Sequence, residues 1–160
     1  PAKDIVALLN RFFAVIVDEV DRCDGLINKF EGDACLAIFG APNNLECPES
    51  AALRAARAIT RRLKSEVPEF EAGIGVAAGE VVAGNVGAHE RFEYTVIGAP
   101  VNQAARLCEL AKSIPGHVVA SAETVRGADD NETSTWARGD PVPLPGLTEP
   151  TVLAVPSDSH

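Results

Sequence analysis

Ile5, Leu8, Leu9, Phe12, Phe13, Ile16, Val17 and Val20 recur at the three- and four-residue spacing of one helix face. Asp4 stands ahead of them as a candidate cap and Gly25 behind as a stop, so the pattern predicts an amphipathic helix with one buried face. Two short apolar runs follow, residues 26–30 and 34–39, separated by Glu31, Gly32 and Asp33; this is the pattern of a β-hairpin with an acidic turn. Residues 41–48 read as a loop, and residues 49–66, rich in Ala and Arg, read as a second helix ended by Pro68. Residues 70–78 read as a strand. Residues 79–87 are punctuated by glycine and fit neither period, while residues 91–97 read as a strand feeding, through Gly98 and Pro100, a helix over residues 101–112. Short strands are expected at residues 118–120, 135–138 and 151–155, with no internal repeat anywhere. Helices mixed with hairpins in this way predict an α+β fold, a ferredoxin-like βαββαβ core with C-terminal additions, its sheet covered on one face by helices.

Composition narrows the function classes. The chain has 160 residues, of which 46% are hydrophobic, enough for one domain with a single core spanning residues 1–160. Fourteen basic against 23 acidic residues give a net charge of −9, which repels a phosphate backbone and disfavours sequence-independent binding of nucleic acid. The most apolar stretch is interrupted by Asn10, Arg11, Asp18 and Glu19, too short and too broken to insert into a membrane, and no signal peptide is recognisable. Cys23, Cys35, Cys47 and Cys108 lack zinc-ligand spacing and read as reduced thiols of a cytoplasmic protein. A chain without Met that begins at Pro1 reads as an N-terminally incomplete part of a longer signalling protein.

Two constellations carry chemistry. In the first, Lys29-Phe30-Glu31-Gly32-Asp33, Gly32 permits a tight turn and Asp33 projects a carboxylate from the hairpin end. Mg²⁺ takes one or two protein carboxylates and fills its other positions with water and substrate phosphates, so Asp33 suits half of a nucleotide-metal site; the alternative is a solvated turn. In the second, Asn102 and Arg106 fall at i and i+4 near a helix N-terminus, offering an amide and a guanidinium fork to one anionic ligand. The competing reading pairs Arg106 with Glu109. Glu31 and Glu93 flank these groups and are accounted for by exposed turn and strand positions.

In combination, K-x-x-G-D before an apolar strand ending in Phe-Gly, G-x-V-x-A-G-N-V-G, and Y-T-V-I-G-x-x-V-N-x-A-A-R-L resemble the catalytic domain of class III adenylyl/guanylyl cyclases, most closely the bacterial adenylyl cyclases. The resemblance implies a homodimer with two interfacial sites, each joining metal-binding carboxylates of one subunit to purine- and phosphate-contacting residues of the other. By motif, Asp33 falls on a metal-binding position, Lys29 and Thr95 on the purine-reading positions, Asn102 on the ribose-orienting Asn and Arg106 on the Arg that stabilises charge at the reacting phosphate. Arg91 is a further candidate phosphate contact, and residues 143–147 lack the basic residue that relatives often carry there. Lys29 can donate to adenine N1 and the Thr95 hydroxyl can accept from its amino group, so the expected reaction converts ATP to 3′,5′-cyclic AMP and pyrophosphate with two divalent cations, Mg²⁺ or Mn²⁺. The family's other metal-binding Asp belongs to a first strand ahead of the leading helix, missing from this sequence. Two alternatives stay open: a catalytically silent dimerisation or nucleotide-binding module of the same fold, and a guanylyl or mixed-specificity cyclase.

Overall fold

A computed structural model describes residues 2–157, and over them the leading apolar periodicity becomes helix α1 (Ala2–Arg22), which already includes Asp4 in its first turn rather than being capped by it. A hairpin follows, β1 (Leu26–Glu31) and β2 (Ala34–Ile38), turned at Gly32, whose φ of 59° is the left-handed conformation that glycine adopts at least cost. Next come α2 (Pro48–Glu66) and β3 (Ile74–Val76), the latter shorter than the strand expected over residues 70–78. Phe70 and Ala72 pack against the core formed by α1 and α2, outside the ladder. The glycine-punctuated stretch resolves into β4 (Val82–Ala88), paired in antiparallel register with β5 (Arg91–Ile97).

The chain continues through α3 (Ala99–Ala111), β6 (Val118–Ser121), α4 (Ala122–Arg126), α5 (Asp130–Thr133), β7 (Trp136–Val142) and β8 (Thr151–Pro156). The two short helices were not apparent from periodicity. Each is capped by its own side chain: Ser121 accepts from the Thr124 amide, and Asp129 from the Glu132 amide.

The order α1–β1–β2–α2–β3 is that expected of the core after its first strand, which falls outside the described residues. The strands form a four-stranded sheet, β3–β6–β8–β7, and two separate hairpins, β1–β2 and β4–β5. The expectation of helices on one face alone is corrected here. Val118 and Ala120 of β6 face Leu53 and Ala56 of α2, whereas Val119 between them faces Leu107 and Ala111 of α3. All four residues of β6 are buried, and a strand buried on both faces reads as the apolar run of Val118, Val119 and Ala120. Gly73 and Gly75 let α3 approach: a Cβ at Gly75 would overlap the Cys108 amide and the Ala104 carbonyl.

A third apolar cluster joins Phe12, Ile16 and Val20 of α1 to Ile59 and Leu63 of α2, with Ile27, Cys35 and Ala37 of the first hairpin laid against it. Arg62 of α2 ties the same two helices by ion pairs to Asp18 and Glu19 of α1, and pairs with Glu66 on its own helix. The hairpin that carries Lys29 and Asp33 therefore rests on a rigid helical pair. At the other end of the molecule Glu132, 4% exposed, takes a bidentate Arg57 at 2.6 and 2.7 Å and the Trp136 indole at 2.8 Å, locking α5 and β7 to α2.

Candidate functional site

The side chains of β1 divide between two faces. The Phe30 ring packs edge-on against Phe13 of α1 with centroids 4.7 Å apart, so Lys29 and Glu31 point the other way, into solvent, where their side chains form an ion pair at 3.0 Å. Asp33 follows at the turn and is exposed. Its carboxylate lies within electrostatic reach of the far end of α3. Burial pushes the Cys108 thiol up, Lys112 opposes this, and Glu109 and Asp33 add to the rise. Lys112 is raised chiefly by its hydrogen bond to Glu109, with Asp33 contributing weakly.

On β4–β5 the register sets which residues share a face. Val82 opposes Ile97, Gly84 opposes Thr95 and Val86 opposes Glu93, so these six form one surface, while Val96 on the reverse is buried. Val82, Val86 and Ile97 are 75%, 59% and 61% exposed, an apolar surface with Thr95 at its centre. Nothing occupies the space where a Cβ of Gly84 would stand, which leaves room beside the Thr95 hydroxyl. That hydroxyl donates to the Glu93 carbonyl at 3.3 Å, so its lone pairs are what it can offer a ligand. Arg91 lies on the same face at the other end of β5, four residues or about 13 Å along the strand.

The two hairpins are joined by a contact that sequence pattern did not reveal: Asn28 Nδ2 donates to the Tyr94 carbonyl at 2.6 Å, across 66 positions of sequence. Lys29 and Thr95 are the next residues along their strands. The one signal available was an Asn inside a strand, where β-propensity disfavours it.

Asn102 and Arg106 are both exposed on α3, one turn apart. Arg106 does not pair with Glu109, which is bonded instead to Lys112 at 3.1 Å. Among the described residues, no hydrogen bond or ion pair links Asp33, Thr95, Asn102 and Arg106 to one another within the chain, and no three His, Cys, Asp or Glu side chains converge as a metal site. Asp33 thus offers one carboxylate, which fits the share of a Mg²⁺ or Mn²⁺ shell that a protein supplies alongside substrate phosphates. The cysteines are free of disulfides, and burial pushes the Cys35 thiol up to about 11, which argues against a nucleophilic role. No helix among the described residues is long and apolar enough to cross a membrane.

The family model described as "Adenylate and Guanylate cyclase catalytic domain" matches residues 1–154. An uncharacterized protein of Mycobacterium bovis is 66% identical over 156 residues, covering 98% of this chain and 28% of the relative. A similar uncharacterized protein of Mycobacterium tuberculosis is 65% identical over the same length and share. The chain therefore spans less than a third of the curated relatives it matches. Among solved structures, the adenylyl cyclase CyaB from P. aeruginosa is 25% identical with a TM-score of 0.81, covering 100% of this chain and 85% of that one. The guanylyl cyclase Cya2 is 27% identical with a TM-score of 0.79, covering 96% and 80%.

Proposed function

The chain belongs to the adenylate and guanylate cyclase catalytic domain family, and from that membership we propose that it is an adenylyl cyclase domain, converting ATP to 3′,5′-cyclic AMP and pyrophosphate in sites shared by two copies. In the reaction the ribose 3′-oxygen loses its proton and bonds to the α-phosphorus, the bond from that phosphorus to the bridging oxygen breaks, and pyrophosphate departs. Lys29 donates to adenine N1, and the Thr95 hydroxyl, its proton committed to the Glu93 carbonyl, accepts from the adenine amino group. Guanine would meet that hydroxyl with a second acceptor, O6, and an unpaired buried polar group costs about 1–3 kcal/mol. Asn102 orients the ribose. Arg106 stabilises the negative charge that develops around the α-phosphate, and Arg91 is a further candidate phosphate contact. Asp33, together with the second carboxylate that the family pattern calls for, would hold the divalent cations; when bound, these neutralise triphosphate charge and acidify the 3′-hydroxyl.

The single observation that carries this reading is the distribution of the groups. Among the described residues Arg106 is exposed without an acidic partner, and Thr95 sits in an exposed apolar surface, as groups do that complete their surroundings in a second copy. The two hairpins are held together by Asn28, so that Lys29 and Thr95 act from one subunit. The solved guanylyl cyclase among the structural neighbours gives the competing substrate a specific basis.

The test is cyclic nucleotide formation by the protein at its natural length with Mg²⁺ or Mn²⁺, comparing ATP with GTP in the wild type and in Lys29→Glu. Preference for ATP in the wild type, reduced or reversed in Lys29→Glu, is expected. An unchanged substrate ratio would remove Lys29 from purine reading, and absence of product from either nucleotide would favour a silent module.

A further inference from the structure

Lys29 does not face the purine site alone. Its ammonium is held at 3.0 Å by Glu31 Oε1, two residues on and on the same side of β1. On the opposite side of the strand Phe30, itself half exposed, packs on Phe13, and the pair faces away from that contact. The two side chains are 57% and 69% exposed, and an ion pair so open to water adds little to folding. Glu31 closes β1 opposite Ala34 at the root of the turn that bears Asp33.

We propose that Glu31 is a specificity-determining residue of the purine site, holding the Lys29 ammonium back from adenine while offering guanine the acceptor that Lys29 cannot. The proposal rests on the reading of Lys29 as a purine contact. The two purines differ at the edge that such a residue meets. Adenine N1 is an acceptor and needs the ammonium, which must first leave or share the Glu31 carboxylate. Guanine presents N1–H and an amino group, both donors, and a carboxylate accepts both. A donor and an acceptor 3.0 Å apart can thus serve either base, and the carboxylate lowers discrimination in favour of ATP.

Binding of nucleotides that cannot cyclise separates this effect from turnover. Affinities for 3′-deoxy-ATP and 3′-deoxy-GTP, each with Mg²⁺, are measured on the protein at its natural length in the wild type, Glu31→Gln, Glu31→Asp, Lys29→Ala and Lys29→Ala/Glu31→Gln. Glu31→Gln is expected to tighten 3′-deoxy-ATP by about two- to fivefold, the range of an exposed ion pair, and to leave 3′-deoxy-GTP unchanged or weaker. Glu31→Asp should keep the wild-type ratio, and the gain for 3′-deoxy-ATP should vanish when Lys29 is absent. Equal tightening of both nucleotides, or the same gain in the Lys29→Ala background, would show that Glu31 acts only as a charge repelling triphosphate and would overturn the proposal. No change on Glu31→Gln overturns it as well. If Lys29→Ala alone leaves both affinities intact, the reading of Lys29 fails first, and that outcome is distinct from a Glu31 effect that fails while Lys29 matters.

Discussion

A single side chain, Asn28, fixes the spacing between the two strands that would read a purine. Its amide reaches the Tyr94 carbonyl at 2.6 Å, and Lys29 and Thr95 inherit their separation from that bond. Asn28→Ala removes the bond without touching substrate, so KM for ATP should rise several-fold while kcat changes little, the mark of lost uniform binding in steady-state kinetics. Arg106 should behave in the opposite sense. Arg106→Ala is expected to lower kcat by about 10²–10³-fold with KM nearly unchanged, because the charge it meets exists chiefly in the transition state. A parallel loss in both parameters with an altered melting profile would assign Arg106 a structural role instead. At this scale the sequence was informative about placement: Asp33 at an exposed turn beside Gly32, and Asn102 one turn before Arg106 on one helix. Asn28 was hidden because its partner is a backbone carbonyl 66 positions away, and no local pattern encodes such a pair. Glu31 read as a solvated turn residue because only the fold shows Phe30 turned toward α1 and the two charges turned together outward.

Elements were legible where one periodicity ran long enough. The apolar spacing of α1 and the apolar run of β6 each announce their burial. β4 did not, since glycines at 84 and 87 remove the alternation, and its strand character comes from cross-strand pairing with β5. The short α4 and α5 carry caps instead of periodicity, and Asp129 with Glu132 three residues later was a readable start signal. The face shared by Val82, Val86, Ile97 and Thr95 leads to a prediction for this element. Val86→Lys should weaken self-association, so that specific activity falls at dilutions where the wild type keeps it, with sedimentation showing monomer; activity independent of dilution and of the substitution would detach this face from assembly. A second prediction concerns α5. Burial alone would raise the Glu132 carboxyl, but hydrogen bonds from Arg57 and Trp136 outweigh it and hold it below the usual carboxylate range. A depressed folded value means that stability is present above the unfolded value and is lost as pH falls through the folded one. Glu132→Ala should cost about 3–5 kcal/mol at neutral pH, with the gap from wild type narrowing as pH drops below about 4.5 in thermal or denaturant unfolding.

At the scale of the molecule, the proposed site is shared between two copies, each chain supplying half of it. Asp33 at the acidic turn, Lys29 on β1 and the Asn102–Arg106 pair on α3 are exposed and Thr95 is half-buried, and among the described residues no bond joins Asp33, Thr95, Asn102 and Arg106 within the chain. The architecture around them places α2 and α3 on opposite faces of the four-stranded sheet, with α1 bracing the first hairpin. Family membership and fold were legible through ordered motifs. The covering of both sheet faces was not, because it depends on which side of β6 each helix takes. The most direct test of shared sites is complementation. Asp33→Asn and Arg106→Ala, each nearly inactive alone, are co-expressed in the protein at its natural length and cyclic AMP formation is measured. If each site takes Asp33 from one copy and Arg106 from the other, half of the dimers carry one intact site, and activity returns to roughly one quarter of wild type. Activity no greater than that of either variant alone, with mixed dimers shown to form, would contradict the account.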